Sequence, residues 1–220
     1  MTNRQPLTMD AEGAVMYLQE YAEVNLLFLG GDDEELSEEL FELPVSIVCL
    51  KVRDWNGQLS PWSAPKVMKR GEDFSGGAAA FLEEIEGRVL PEAEKTLGSR
   101  PWLIAGYSLA GLFSLWAVTV SHRFTACACV SGSLWYDGFV EYMRHTACHA
   151  RAAAISLGDL ESRSRNPRLA GNGEATQEIC RILEAQGVRT DFHWEQGNHF
   201  QDPSGRVLRG VKMALSLMKP

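Results

Sequence analysis

At 220 residues and 24.4 kDa the chain is long enough to bury one sizeable core, so a single domain over residues 1 to 220 is expected. It is 45% hydrophobic and 23% charged and has no apolar stretch near the roughly 18 residues of a membrane span, which predicts a soluble globular protein and no membrane partner. A net charge of -8, with Lys and Arg dispersed, argues against a nucleic-acid partner, because phosphate binding needs a basic patch.

Two apolar runs, residues 14 to 18 and 24 to 29, compete for the first strand. After Gly30-Gly31, Asp32 or Asp33 is placed to cap an acidic amphipathic helix with Leu36, Leu40 and Phe41 on one face. Residues 44 to 52 are apolar and β-branched, as a central strand of a parallel sheet would be. Residues 53 to 73 carry Trp55, Asn56, Ser60-Pro61-Trp62 and Pro65 without periodicity, and loops this long in compact domains are usually functional. From Phe74 to Leu97 the apolar spacing is helical, interrupted by Gly87 and Pro91, so one kinked helix or two are expected. Strands are then predicted at 101–105, 124–130, 152–157 and 188–194, and helices at 109–120, 139–149, 174–186 and 207–218. Alternating strand and helix with short turns predicts the α/β class: a mostly parallel sheet with helices on both faces.

In such a sheet, ligands bind outside the carboxyl ends of the strands, so the residues just after strands are the ones that can meet. Ser108, in Gly106-Tyr107-Ser108-Leu109-Ala110-Gly111, follows one strand and precedes a buried helix. A nucleophile on a strained strand-to-helix turn needs small neighbours two positions to either side, which Gly106 and Ala110 supply. Asp159 and Glu161 follow a later strand, and His199 follows the last. Serine, acid and histidine in this order match a triad in which the histidine takes the serine proton and the carboxylate orients the histidine. Either carboxylate fits that role. The Leu109 N–H, next after the nucleophile, is placed to bind an oxyanion.

Other candidates have plainer readings. Ser131 and Ser133 shape a turn or the cleft, His193 sits in a strand pattern as a packed residue, and His122 ends a helix. Trp62, Trp135 and Tyr136 either line an apolar subsite or pack in the core. Glu141, His145 and His149 are spaced by four, but the His149-Ala150-Arg151-Ala152 stretch leaves the helix and no further ligand is in view, so no metal is expected. There is no phosphate loop or dinucleotide fingerprint, and no cofactor is expected. Five cysteines, an odd number without a CxxC pair, suit a reducing compartment; Cys127 and Cys129, at strand spacing, share one core-facing side. With no apolar leader in Met1 to Pro6, a cytoplasmic location is expected.

On the residues Gly106 to Gly111, Ser156 to Glu161 and Gly197-Asn198-His199-Phe200 with Arg206 following, the chain resembles α/β-hydrolases of the esterase D type, which include ferric-enterobactin, feruloyl and acetyl-xylan esterases. The likeness covers residues 45 to 215. Its usual Gly-x-Ser-x-Gly-Gly pattern is altered here by Ala110. The resemblance implies that Glu161, three residues after Gly158, is the triad acid, and that a second oxyanion N–H comes from Trp55, with Asn56 as the alternative. It also implies a small-molecule ester as substrate. The chain is short for this fold, so little or no cap and an open cleft are expected. Acyl transfer to an alcohol on the same fold, or a non-catalytic binding protein that keeps the fold, are the rival readings.

Overall fold

Both apolar runs near the N-terminus are strands, and their burial explains their places. In a computed structural model describing residues 7–9, 13–31, 36–67 and 71–219, Leu7–Thr8 (β1) and Ala14–Tyr17 (β2) come first, and β2 alternates between buried and half-buried side chains. Val24–Gly30 (β3) is buried at every position. Alternation suits a strand covered on one face, and continuous burial suits one covered on both. Accordingly β2 pairs antiparallel with Val45–Lys51 (β4), while β3 lies between β4 and Trp102–Tyr107 (β7), parallel to both. Beyond β7 come Phe124–Val130 (β8), Ala152–Gly158 (β9) and Arg189–Glu195 (β10), all parallel. Among the described residues the sheet order is β1-β2-β4-β3-β7-β8-β9-β10.

The segment between β4 and β7 is more ordered than its sequence suggests. Asp54 caps a single helical turn, Trp55–Gln58 (α1), by accepting from the Gly57 N–H at 2.9 Å. Ser63–Ala64 (β5) then pairs with Phe74–Ser75 (β6), so the next helix begins at Ala78 rather than Phe74. That helix is one rod: Ala78–Glu84 (α2) passes through a π turn at Ile85–Val89 into Leu90–Leu97 (α3). Pro91 has no N–H and its ring would crowd the carbonyl four residues back, and the wider turn absorbs that conflict without breaking the helix.

Helices cover both faces. Leu109–Val120 (α4) packs on β7 and β8, and Cys127 and Cys129 of β8 face that same core, fully buried, their thiols pushed up by burial. Phe139–His145 (α5) is shorter than its periodicity suggests, and Pro167–Ala170 (α6) precedes Asn172–Ala185 (α7), which packs against β10. On the other face lies Pro203–Met218 (α8), one turn longer than expected because Pro203 pre-sets the first helical φ. The alanines at 126, 128, 152 and 154 line that face, and Gly210 lets α8 come close; a Cβ there would fall 2.7 Å from Val130. Of the expected acidic helix, Asp32 and Asp33 lie outside the described residues. From Leu36 onward the described part of that segment holds a 3-10 turn at Glu38–Glu42, capped by Ser37, with Leu36 and Leu40 buried and Phe41 edge-on to Tyr17. Among the described residues, no helix is long and apolar enough to cross a membrane.

Candidate active site

Ser108 sits between β7 and α4 with φ 60° and ψ -119°, a conformation that costs a non-glycine residue about 1–3 kcal/mol. The surroundings hold it there. Its N–H donates to the Val130 carbonyl at 2.9 Å, and its carbonyl accepts from Ser133 at 3.0 Å and Leu112 at 3.1 Å. Such a turn brings α4 onto the end of β7: a Cβ on Gly106 would lie 2.5 Å from the carbonyl carbon and oxygen of Ala110 and 2.6 Å from its methyl. Glycine is therefore required at 106, and once it is there the Ala110 methyl fits, which is why the second position tolerates alanine. Gly106→Ala is expected to destabilise the chain by about 3 kcal/mol, at the upper end for overpacking. Thermal denaturation checks it: at this size the loss lowers Tm by roughly 6–12 °C.

The three strand ends converge. His199 Nε2 is 3.0 Å from Ser108 Oγ, and His199 Nδ1 is 2.6 Å from Glu161 Oε2. Glu161 is nearly buried and its other oxygen, Oε1, accepts from the Gly158 N–H at 2.8 Å and from Arg206 Nη1 at 3.0 Å. With two donors occupying Oε1, Oε2 is the oxygen that faces Nδ1, and an Nδ1–H donated to it leaves Nε2 as the acceptor facing the serine hydroxyl. Asp159 reaches the other way: its Oδ1 accepts from the Gly197 N–H at 2.7 Å and so anchors the turn that carries His199. The geometry thus joins Glu161, not Asp159, to the imidazole. Gly158 has no room for a side chain, since a Cβ would sit 2.9 Å from both Glu161 Oε1 and Arg206 Nη2.

Beneath this relay lies Arg206, from the first turn of α8 and fully buried. Besides Glu161, its Nη1 donates to Ser131 Oγ at 3.0 Å, and its Nη2 donates to the Gln196 carbonyl at 2.8 Å. Ser131 takes φ 45° to offer that oxygen. Tyr107, next to the nucleophile, donates its hydroxyl to the His199 carbonyl at 2.6 Å; burial pushes this phenol above its ordinary value, so it stays a donor. The histidine is held at ring and backbone together.

A cleft of about 300 Å³ opens over Ser108, lined among others by Trp55, Asn56, Phe74, Leu109, Trp135 and Asn172. Leu109 and Trp55 each begin a helix beside this cleft, and among the described residues neither main-chain N–H has an internal acceptor. Asn56 also borders the cleft, its amide donating to the Glu72 carbonyl at 2.9 Å. Of the three aromatic candidates only Trp135 lines it. Trp62 and Tyr136 stand one layer behind: the Trp62 indole donates to the Asp137 carbonyl at 2.9 Å and packs among Tyr136, Phe139 and Tyr142, while the Tyr136 hydroxyl donates to the Trp62 carbonyl at 2.5 Å. Burial pushes the Tyr136 phenol up to about 12. These two are core packing that supports Trp135 through Phe74.

The remaining candidates are not brought together. His145 pairs with Glu141 at 2.8 Å on the surface, while His149 stacks on His122, ring centroids 3.9 Å apart. Among the described residues no group of three or more His, Cys, Asp or Glu is arranged to hold a metal. His193 is exposed on β10 rather than packed. Ser133 lies in the cleft with its hydroxyl 3.5 Å from that of Ser108.

No protein-family model matches the chain, and no curated protein matches its sequence. Solved structures do. An IroE-like serine hydrolase from Shewanella oneidensis superposes with a TM-score of 0.76 at 16% identity, covering 95% of this chain and 79% of that one. Siderophore hydrolase EstB from Aspergillus nidulans gives 0.73 at 14% identity over 99% and 96% of the two chains. Enterobactin hydrolase IroE in complex with DFP gives 0.67 at 20% identity over 98% and 94%. The fold is that of the α/β-hydrolases. Over the carboxyl end of the sheet the cleft is lined from two connections, the long one between β4 and α2, which supplies Trp55, Val67 and Phe74, and the one between β9 and α7, which supplies Glu161 and Leu169. Sequence reasoning did not single out Tyr107 or Asn172, whose amide pins the turn after β8 by donating to the Gly132 carbonyl at 3.0 Å and accepting from the Trp135 N–H at 2.9 Å. The signal for Tyr107 was its place beside the nucleophile; Asn172 carried none.

Proposed function

We propose that this chain is a serine esterase that cleaves small-molecule carboxylic esters through an acyl-enzyme. The observation that carries the reading is the unbroken relay of Ser108 Oγ, His199 and Glu161 at 3.0 and 2.6 Å. In this mechanism His199 Nε2 takes the hydroxyl proton as Ser108 attacks the ester carbonyl, and Glu161 stabilises the imidazolium that forms. The N–H groups of Leu109 and Trp55 receive the developing oxyanion. Arg206 holds Glu161 in place, a positioning role.

The solved neighbours are named as serine, siderophore and enterobactin hydrolases, which supports extending to this chain the general chemistry of ester cleavage. The activity needs no cofactor. The reading is of one domain in the cytoplasm, a location supported by five cysteines, an odd number without a CxxC pair. A fluorophosphonate probe is expected to label the chain at Ser108 and to leave folded Ser108→Ala unlabelled. Absence of serine-dependent labelling on protein with an intact thermal transition overturns the reading.

A further inference from the structure

A second depression borders the first at His199. It measures about 440 Å³ and is walled by Phe28, Tyr107, Pro203, Ser204 and Val207. Trp55, His199 and Phe200 line both hollows, and so form a saddle between them. Phe200 stands 80% exposed with its ring edge-on to the imidazole at 5.3 Å, and Trp55 is 37% exposed, an unusual pair of uncovered aromatics at one spot. The second hollow touches neither Ser108 nor Leu109, and among the described residues its lining carries no formally charged side chain. Its one side-chain hydroxyl not committed elsewhere in the site is that of Ser204; Tyr107 already donates to the His199 carbonyl.

Building on the esterase reading, we propose that this hollow is the leaving-group site and takes an uncharged, bulky apolar or aryl-bearing alcohol, so that the preferred substrate spans the saddle with apolar groups on both sides of its ester. The chemistry assigns the two sides. In the tetrahedral intermediate the carbonyl carbon is bonded to Ser108 Oγ and its oxyanion faces Leu109 and Trp55, which puts the acyl portion in the cleft that Ser108 and Leu109 line. The imidazolium Nε2–H then gives its proton to the ester oxygen as the carbon–oxygen bond breaks, the carbonyl re-forms on Ser108, and the neutral alcohol departs. That oxygen must lie within reach of His199, so the group it carries falls on the His199 side, where the second hollow lies. Water enters by the same route, loses a proton to Nε2 and clears the acyl-enzyme. A volume of about 440 Å³ suits a mono- or bicyclic group.

Esters of one acid, 3-phenylpropanoic acid, with methanol, benzyl alcohol and 2-naphthylmethanol test this, because the three alcohols leave with similar intrinsic ease. The two aryl esters are expected to exceed the methyl ester in kcat/KM by about 10- to 100-fold, the effect of burying one aromatic group. Ser204→Trp, which fills the hollow from the first turn of α8, is expected to bring that ratio close to one. A wild-type enzyme that cleaves all three esters equally overturns the proposal without recourse to the variant. So does a Ser204→Trp enzyme that changes the preference among acyl chains but not among alcohols. Loss of both hydrolysis and labelling in the wild-type chain is a different outcome, and it overturns the esterase reading on which the proposal rests.

Discussion

The Ser108→Ala variant is expected to turn over esters roughly 10⁶-fold more slowly in kcat, the loss seen when the nucleophile of such a relay is removed. What survives in the proposed mechanism is binding in the cleft and the oxyanion stabilisation assigned there to the N–H groups of Leu109 and Trp55. Ser108→Gly is expected to be as inactive but more stable than the parent by about 1 kcal/mol, since glycine relieves most of the strain at φ 60° and gives back part of the gain in chain entropy. Turnover of a p-nitrophenyl ester together with Tm measures both effects. Substantial activity in Ser108→Ala would instead move the nucleophile, with Ser133, its hydroxyl 3.5 Å away, as first candidate.

The second large effect separates two neighbouring carboxylates. Glu161→Gln is expected to lower kcat by about 10⁴-fold through the tautomer of His199. The Gly158 N–H and Arg206 Nη1 both donate to the position of Oε1, so the amide oxygen must occupy it and the NH₂ must face His199 Nδ1. Nδ1 then becomes an acceptor, the ring proton moves to Nε2, and Nε2 can no longer accept from Ser108. Asp159→Asn keeps an oxygen for the Gly197 N–H and is expected to stay within about threefold of the parent, as a change outside the relay would. Steady-state kinetics on the two variants decides the matter, and the opposite ranking would assign the relay to Asp159.

Much of this arrangement is legible in the chain. The Ser108 turn can be read from Gly106 and from the apolar runs on either side, because the steric demand of the turn acts on residues adjacent in sequence. The two N-terminal runs could not be ranked by hydrophobicity, since an edge strand and a central one differ in which neighbours cover them: β2 and β3 separate only through the non-sequential pairing that places β4 between them. Asp159 and Glu161 are alike in sequence because both leave the same strand end. Their roles diverge through contacts with residues 197 and 199, some forty positions on. Trp62 and Tyr136 carry the same composition signal as Trp135, and only the layering of aromatic rings shows which one meets the cleft. The alcohol-side hollow had no local signal, being assembled from β3, α1, β7, the His199 turn and α8.

Arg206 ties Glu161 into the stability of the whole molecule. Its guanidinium is fully buried, and removing Glu161 altogether strands that charge, a loss of about 3–5 kcal/mol for a buried pair broken on one side. Ser108 is under the reverse pressure, because glycine is expected to relax the backbone at φ 60°. Folding stability alone therefore favours keeping Glu161 with Arg206 but not Ser108, so the three residues of one small site are held in place by different demands.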